Sequence, residues 1–227
     1  MNNSRDDNNQ SGENHPATTN DMPNQDAQLA RKQQLFNEYF TINQDVNVNV
    51  IPCENDFQLP SYDQFVREMP YSFRLASEVS TLEASSIRPL RNLGSIGDDL
   101  VEFLKAQSRK IDLIMSYILT MEDEDQNRLV TQSYGGGGLT IISNTPLDVG
   151  RIAQLKLFLS EEACAIFCYG EVIKVEKISA NTSDSDDKYL ISLYYARIRE
   201  EDRELIVRAS LHQQSRQLKR KAELRRS

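Results

Sequence analysis

At 227 residues the chain has room for one ordinary domain with accessory segments, or for two small domains. Its net charge of −8 is unevenly spread: residues 203–227 hold eight Lys or Arg against two Glu, which makes that segment +6 and the remainder −14. Such an acidic body argues against nucleic acid as the main partner, because phosphate binding needs a broad positive surface.

The opening MNNSRDDNNQ has neither the basic region nor the apolar stretch of a signal peptide, and no window approaches the roughly eighteen apolar residues of a membrane span. A cytoplasmic protein is expected. Cys53, Cys164 and Cys168 are odd in number and at no zinc spacing, and His15 and His212 lie far from them. That argues against a structural metal and against a secreted disulfide framework.

Residues 1–27 contain almost no large apolar side chain and read as a disordered polar tail, unable to offset the entropy of ordering. Residues 28–60 read as a docking segment. Leu29, Leu35, Phe36, Tyr39 and Phe40 mark a short helix there, and Asp45 to Ile51 alternates with period two, as a half-buried strand that needs something to pack on. Residues 61–126 read as helical, with an interruption at Pro70.

Within that region, about 90–121, Leu90, Leu93, Gly97, Leu100, Leu104, Gln107, Ile111, Ile114, Ile118 and Met121 are spaced alternately by three and four. This heptad seam predicts a helix that joins other helices, and Gln107 within it would fix register. The alternative is a helix that packs along its own domain, favoured by the extra apolar residues Val101, Phe103, Leu113, Met115 and Tyr117.

MEDEDQN at 121–127 reads as a polar, solvated break. Beyond it the period becomes two, in runs near 128–132, 139–143, 151–160, 165–178 and 188–198, joined by turn-forming residues. Five or so short strands predict a small antiparallel barrel over 127–200, with Gly170 at a bulge. Residues 201–227 then form a basic C-terminal helix, with Glu200, Glu201 and Asp202 at its positive end and Lys219 to Arg226 near its negative end. Its basic end is first a solvated helix terminus favoured by the dipole; a contact with an anionic surface or nucleic acid is the alternative.

No catalytic constellation is found. Neither histidine is placed as a general base, the carboxylates fall in charge runs, and Cys164 and Cys168 lie on one face of a strand as small apolar residues. The chain is therefore expected not to be an enzyme, and no resident cofactor is expected. The quartet Gly135–Gly138 admits two readings: a loop whose amides could meet a phosphate or base edge, or a hairpin turn using positive φ. It is neither a Walker loop nor a dinucleotide-binding turn.

The run GGLTIISNTPLDVGRIAQLKLFL, followed by AIFCYGEVIKVEKI and YLISLYYARIREEDRELIVRASLHQQ, resembles PilZ domains over about 127–215. EYF at 38–40 and the heptad helix running into the barrel resemble the atypical, cyclic-di-GMP-receptor-type PilZ proteins, some of which form tetramers through that helix. The resemblance implies an α+β fold: a small antiparallel barrel with a long preceding helix and a C-terminal helix. It also implies cyclic di-GMP as the ligand to consider. The family's Arg-x-x-x-Arg is reduced here to Arg128, and its Asp/Asn-x-Ser-x-x-Gly motif keeps Gly138, with Ser133 as the motif Ser in an alignment with two inserted residues.

Arg128, Ser133 and Gly138 are thus the nucleotide-binding candidates. Leu93, Leu100, Leu104, Gln107, Ile111, Ile114 and Ile118 are the oligomerisation candidates. Each lost charge-assisted anchor would cost roughly 1.5–3 kcal/mol of affinity. The expectation is a regulatory or adaptor protein in cyclic di-GMP-linked signalling, a homo-oligomer such as a tetramer that contacts other signalling proteins. The alternative is a true cyclic di-GMP receptor that uses non-standard residues.

Overall fold

The computed structural model describes residues 22–86, 94–178 and 187–225. Helix α1 spans Met22–Glu38, and two short strands follow, β1 (Thr41–Asn43) and β2 (Asn47–Pro52). Helices α2 (Tyr62–Glu68), α3 (Tyr71–Ser86) and α4 (Gly94–Thr120) lead into β3 (Arg128–Gly135), β4 (Gly138–Ser143), β5 (Ile152–Leu159), β6 (Cys164–Ile178), β7 (Lys188–Arg197) and α5 (Glu200–Leu224). The helix starting at Met22 takes in the last part of the segment expected to be a disordered tail. Pro23 is tolerated in its first turn, and Ala27 to Leu35 are mostly good helix formers. Residues 1–21 lie outside the described residues.

Every strand pairing is antiparallel, and the order β3-β2-β5-β6-β7-β4 closes through β3–β4 into a six-stranded barrel, with β1 as an extra strand beside β3. The expected barrel is therefore present, and its membership extends further back than 127. The alternating strand near 45–51 is no outlying docking piece, since β2 lies between β3 and β5. Strands β1 and β2 act as one broken strand along β3. The break at Gln44–Val46 is closed by Thr131, whose Oγ1 accepts from the Val46 N–H at 3.1 Å and donates to the Gln44 carbonyl at 2.8 Å.

Strands β5 and β6 are buried on both faces, which explains their nearly unbroken apolar runs. Inside the barrel lie Val48, Leu139, Ile141, Leu155, Leu157, Ile166, Cys168, Ile191 and Leu193. Outside it, α2, α3 and α4 pack on the same two strands through Phe65, Phe73, Met115, Leu119, Phe158, Phe167 and Tyr169. The Phe65 and Phe167 rings stack with centroids 5.8 Å apart, and Phe73 meets Phe158 at 5.9 Å. The register shifts at Tyr169/Gly170, as expected, and a Cβ at Gly170 would lie 2.6 Å from the Leu155 side chain, which accounts for glycine at that position. Burial pushes the Cys164 thiol up to about 12, in keeping with a packing role.

Helix α4 covers Gly94–Thr120 of the predicted heptad segment, a length of about 40 Å. Leu93 lies outside the described residues. One face of this helix packs on the chain's own domain, although Phe103, Leu113 and Tyr117, expected there, are exposed. Val101, Met115 and Leu119 are buried on the chain's own domain, whereas Leu100, Ile111 and Ile114 of the seam remain exposed, together with Phe103, Leu113, Tyr117 and Met121. Leu104, Gln107 and Ile118 are half-buried between the two surfaces.

Candidate functional site at the glycine hairpin and the helix junction

Two places hold the sequence-derived candidates. The first is the hairpin joining β3 and β4, where Gly135 pairs with Gly138. None of the quartet takes a left-handed φ; among the described residues the only glycine that does is Gly150. The glycines are needed for close approach instead. A Cβ at Gly138 would lie 2.1 Å from the Leu193 carbonyl oxygen and 2.6 Å from the Phe36 ring, and one at Gly137 would lie 2.6 Å from the Phe36 carbonyl oxygen.

The C-terminal end of α1 thus lies directly on the hairpin. The quartet is a hairpin turn, as the second sequence reading expects, but it does not use positive φ, and its amides do not form the open loop of the first reading. The covering helix is held by Lys32, whose Nζ lies 2.5 Å from the Glu171 carboxylate, and by the Gln33 amide donating to the Ile173 carbonyl at 3.1 Å.

Arg203 of α5 approaches the same hairpin. Its guanidinium donates to the Gly136 carbonyl and lies over the Tyr39 ring, 5.4 Å from the centroid. Arg199, four residues earlier, is buried and forms a two-pronged pair with Asp202, both contacts at 2.7 Å. Asp202 is itself only 1% exposed, so this part of the charge run at 199–202 is interior and not solvated. Arg199 and Arg203 are therefore both engaged within the fold.

The second place is the acidic stretch between α4 and β3, which the sequence presents as a solvated break and the structure shows to be a bonded junction. Asn49 of β2 is fully buried. Its amide donates to Asp123 at 2.9 Å and to the Glu124 carbonyl at 3.1 Å, and it accepts from the Glu124 N–H at 3.0 Å. Lys156, also buried, places its ammonium 2.7 Å from the Glu124 carboxylate. The Ser72 hydroxyl donates to Glu122 at 2.7 Å, which ties α3 into the same cluster. The Lys156 contact, followed by that of Asn127, holds the Glu124 carboxyl below its ordinary pKa.

Arg128 belongs to this junction. Its Nε donates to Asp123 at 2.8 Å, and its Nη2 lies 2.5 Å from Asp125. It stands at the start of β3, seven residues before Gly135, about 23 Å along an extended strand. Ser133 lies between them in β3, opposite Thr140 and Asn43. The structure therefore separates Arg128 from Gly138, and α1 covers Gly138. Among the described residues no group of three or more His, Cys, Asp or Glu could hold a metal, and no helix is long and apolar enough to cross a membrane.

A closed antiparallel barrel with a long preceding helix and a closing helix is the PilZ-like architecture that the sequence resemblance implies. Neither the family models nor the curated proteins include a match to this chain. Among solved structures, similarity is found to a tetrameric PilZ domain of Xanthomonas campestris described as self-assembled via a helical bundle. That likeness has 16% identity, covers 83% of this chain and 95% of that one, and has a TM-score of 0.45. The Bacillus subtilis inhibitor of motility MotI/DgrA is similar at 18% identity over 39% of this chain and 42% of its own, with a TM-score of 0.33. MrkH of K. pneumonia is similar at 21% identity over 43% and 44%, with a TM-score of 0.37. The chain thus spans less than half the length of MotI/DgrA and of MrkH.

Proposed function

We propose that this protein is a non-enzymatic regulatory or adaptor protein of cyclic di-GMP-linked signalling that acts as a homo-oligomer through α4. The observation that carries this reading is the exposure of the seam residues Leu100, Ile111 and Ile114, with Phe103 and Tyr117 beside them, on a helix whose other face is already packed. An apolar stripe of this length on a heptad period is costly to leave in water and suits a helical bundle. Ile at successive seam positions 111, 114 and 118 favours more than two helices. The bonded junction at Asn49, Asp123, Glu124 and Lys156 supports the second half of the reading, since it fixes the barrel to the end of the bundling helix.

The link to cyclic di-GMP rests on the PilZ-like arrangement of the barrel. Direct binding is disfavoured by two features: Arg128 is engaged by Asp123 and Asp125, and Gly138 lies under Phe36. Calorimetric titration of the full-length protein with cyclic di-GMP tests this. No heat of binding is expected up to high ligand concentration, and micromolar binding that Arg128→Ala abolishes would establish the receptor reading instead.

A further inference from the structure

Helix α5 has two unlike faces. Leu205, Ile206, Ala209 and Ser210 are buried against the rest of the domain. At 100° per residue, Leu211, Leu218 and Ala222 fall within about 40° of one another on the opposite side, beyond Val207, which packs against Gly136. Leu211 is 48% exposed and Leu218 is 60% exposed. This outward stripe is flanked by Lys221 and Arg225 on one side and by Lys219 on the other.

The last turns of this helix gather four cations within seven residues, 219 to 225. Arg128, Lys156, Arg199, Arg203 and Arg216 each meet a carboxylate. Among the described residues Lys219, Arg220, Lys221 and Arg225 meet no carboxylate, as is also the case for Arg67, Arg74, Arg151 and Arg197 elsewhere in the fold. In a chain of net charge −8, an unneutralised basic cluster beside exposed leucines is the reverse of the general surface. Basic flanks around an outward apolar stripe match the chemistry of an anionic lipid surface, where the stripe enters the headgroup boundary and the cations meet lipid phosphates. Nucleic acid would use the cations but gain little from the leucines.

We propose that the outward face of α5 from Leu211 to Arg225 is a peripheral contact for anionic bilayers. The test is co-sedimentation of the full-length protein, at low salt, with vesicles of phosphatidylcholine alone and with vesicles containing one third phosphatidylglycerol. Binding is expected to the anionic vesicles only, and to be lost at high salt. The double variant Lys219→Glu/Lys221→Glu should weaken it by about tenfold or more, and Leu218→Ser by about tenfold. All three positions are exposed, so the fold, checked by circular dichroism, should be unchanged. Failure to bind anionic vesicles at low salt would overturn the proposal. So would binding insensitive to Leu218→Ser, or tighter binding to a short DNA duplex that ignores Leu218→Ser.

Discussion

Replacing Asn49 by Ala tests whether the acidic stretch is a structural junction. Asn49 has no exposed surface and makes one bond to the Asp123 carboxylate and two to the Glu124 backbone, all between 2.9 and 3.1 Å. Two neutral bonds at about 1 kcal/mol each and one charge-assisted bond at about 2 kcal/mol give a loss of about 4 kcal/mol. Water reaching the partly open side of the cluster reduces this to about 3 kcal/mol, roughly 10 °C in Tm for a domain of this size. The chain has no Trp, so far-ultraviolet circular dichroism during urea unfolding is the suitable readout. Asn47→Ala is the control, because its contact with Asp123 is exposed and 3.4 Å long; it should cost less than about 0.5 kcal/mol. A loss below about 1 kcal/mol for Asn49→Ala would refute the reasoning and return the stretch to a solvated linker.

Three further outcomes follow from other contacts. Lys156 and Asn127 lower the folded-state pKa of Glu124, so this carboxylate stabilises the fold above its unfolded value and loses that contribution as pH falls through the folded value. Glu124→Gln should therefore destabilise at neutral pH, and its difference from wild type should shrink below about pH 4; a difference constant with pH would contradict the assignment. Gly138→Ala puts a methyl against the Leu193 carbonyl and the Phe36 ring, so it should destabilise by about 2 kcal/mol or more and increase proteolysis within α1; an unaltered Tm would mean that α1 does not rest there. Cys53 is only half-buried while Cys164 and Cys168 are buried, so a thiol reagent should label one cysteine in the native protein and three after unfolding; rapid native labelling of all three would contradict the barrel core.

Much of the barrel is legible in the sequence, because half-buried antiparallel strands print their period on the chain and turn residues separate them. Strands β3 to β7 coincide closely with the alternating runs, and Gly170 sits at its bulge. The place of β2 is not legible, since its partners are Arg128–Val130, about eighty residues away, and Ala153–Leu157, just over one hundred away, and no local pattern encodes such pairing. Within β2 the alternation puts Asn49 with the polar positions, yet it is fully buried, because Asp123 and Glu124 cover that face.

Charge runs mislead for a related reason. MEDED reads as solvated until Lys156, placed in the apolar run LKLFL, is seen as its partner. A lone lysine in an otherwise apolar strand is a sequence signal for such a pair. The glycine quartet likewise looks like loop chemistry from sequence, and becomes a contact surface once Phe36, Tyr39 and Arg203 are placed against it. The apolar residues at 35–40 were the available hint, since they need a smooth surface to cover.

The central claim is that α4 assembles the protein, and the most direct measurement is the mass of the full-length protein by light scattering at micromolar concentration, beside the variant Ile111→Glu/Ile114→Glu. Both isoleucines are exposed in the single chain, so the variant should keep its fold while losing the assembly. A multiple of the 26.0 kDa chain mass for the wild type and a single chain mass for the variant is the predicted result. A wild-type protein of one chain mass, or an assembly indifferent to both substitutions, would contradict it.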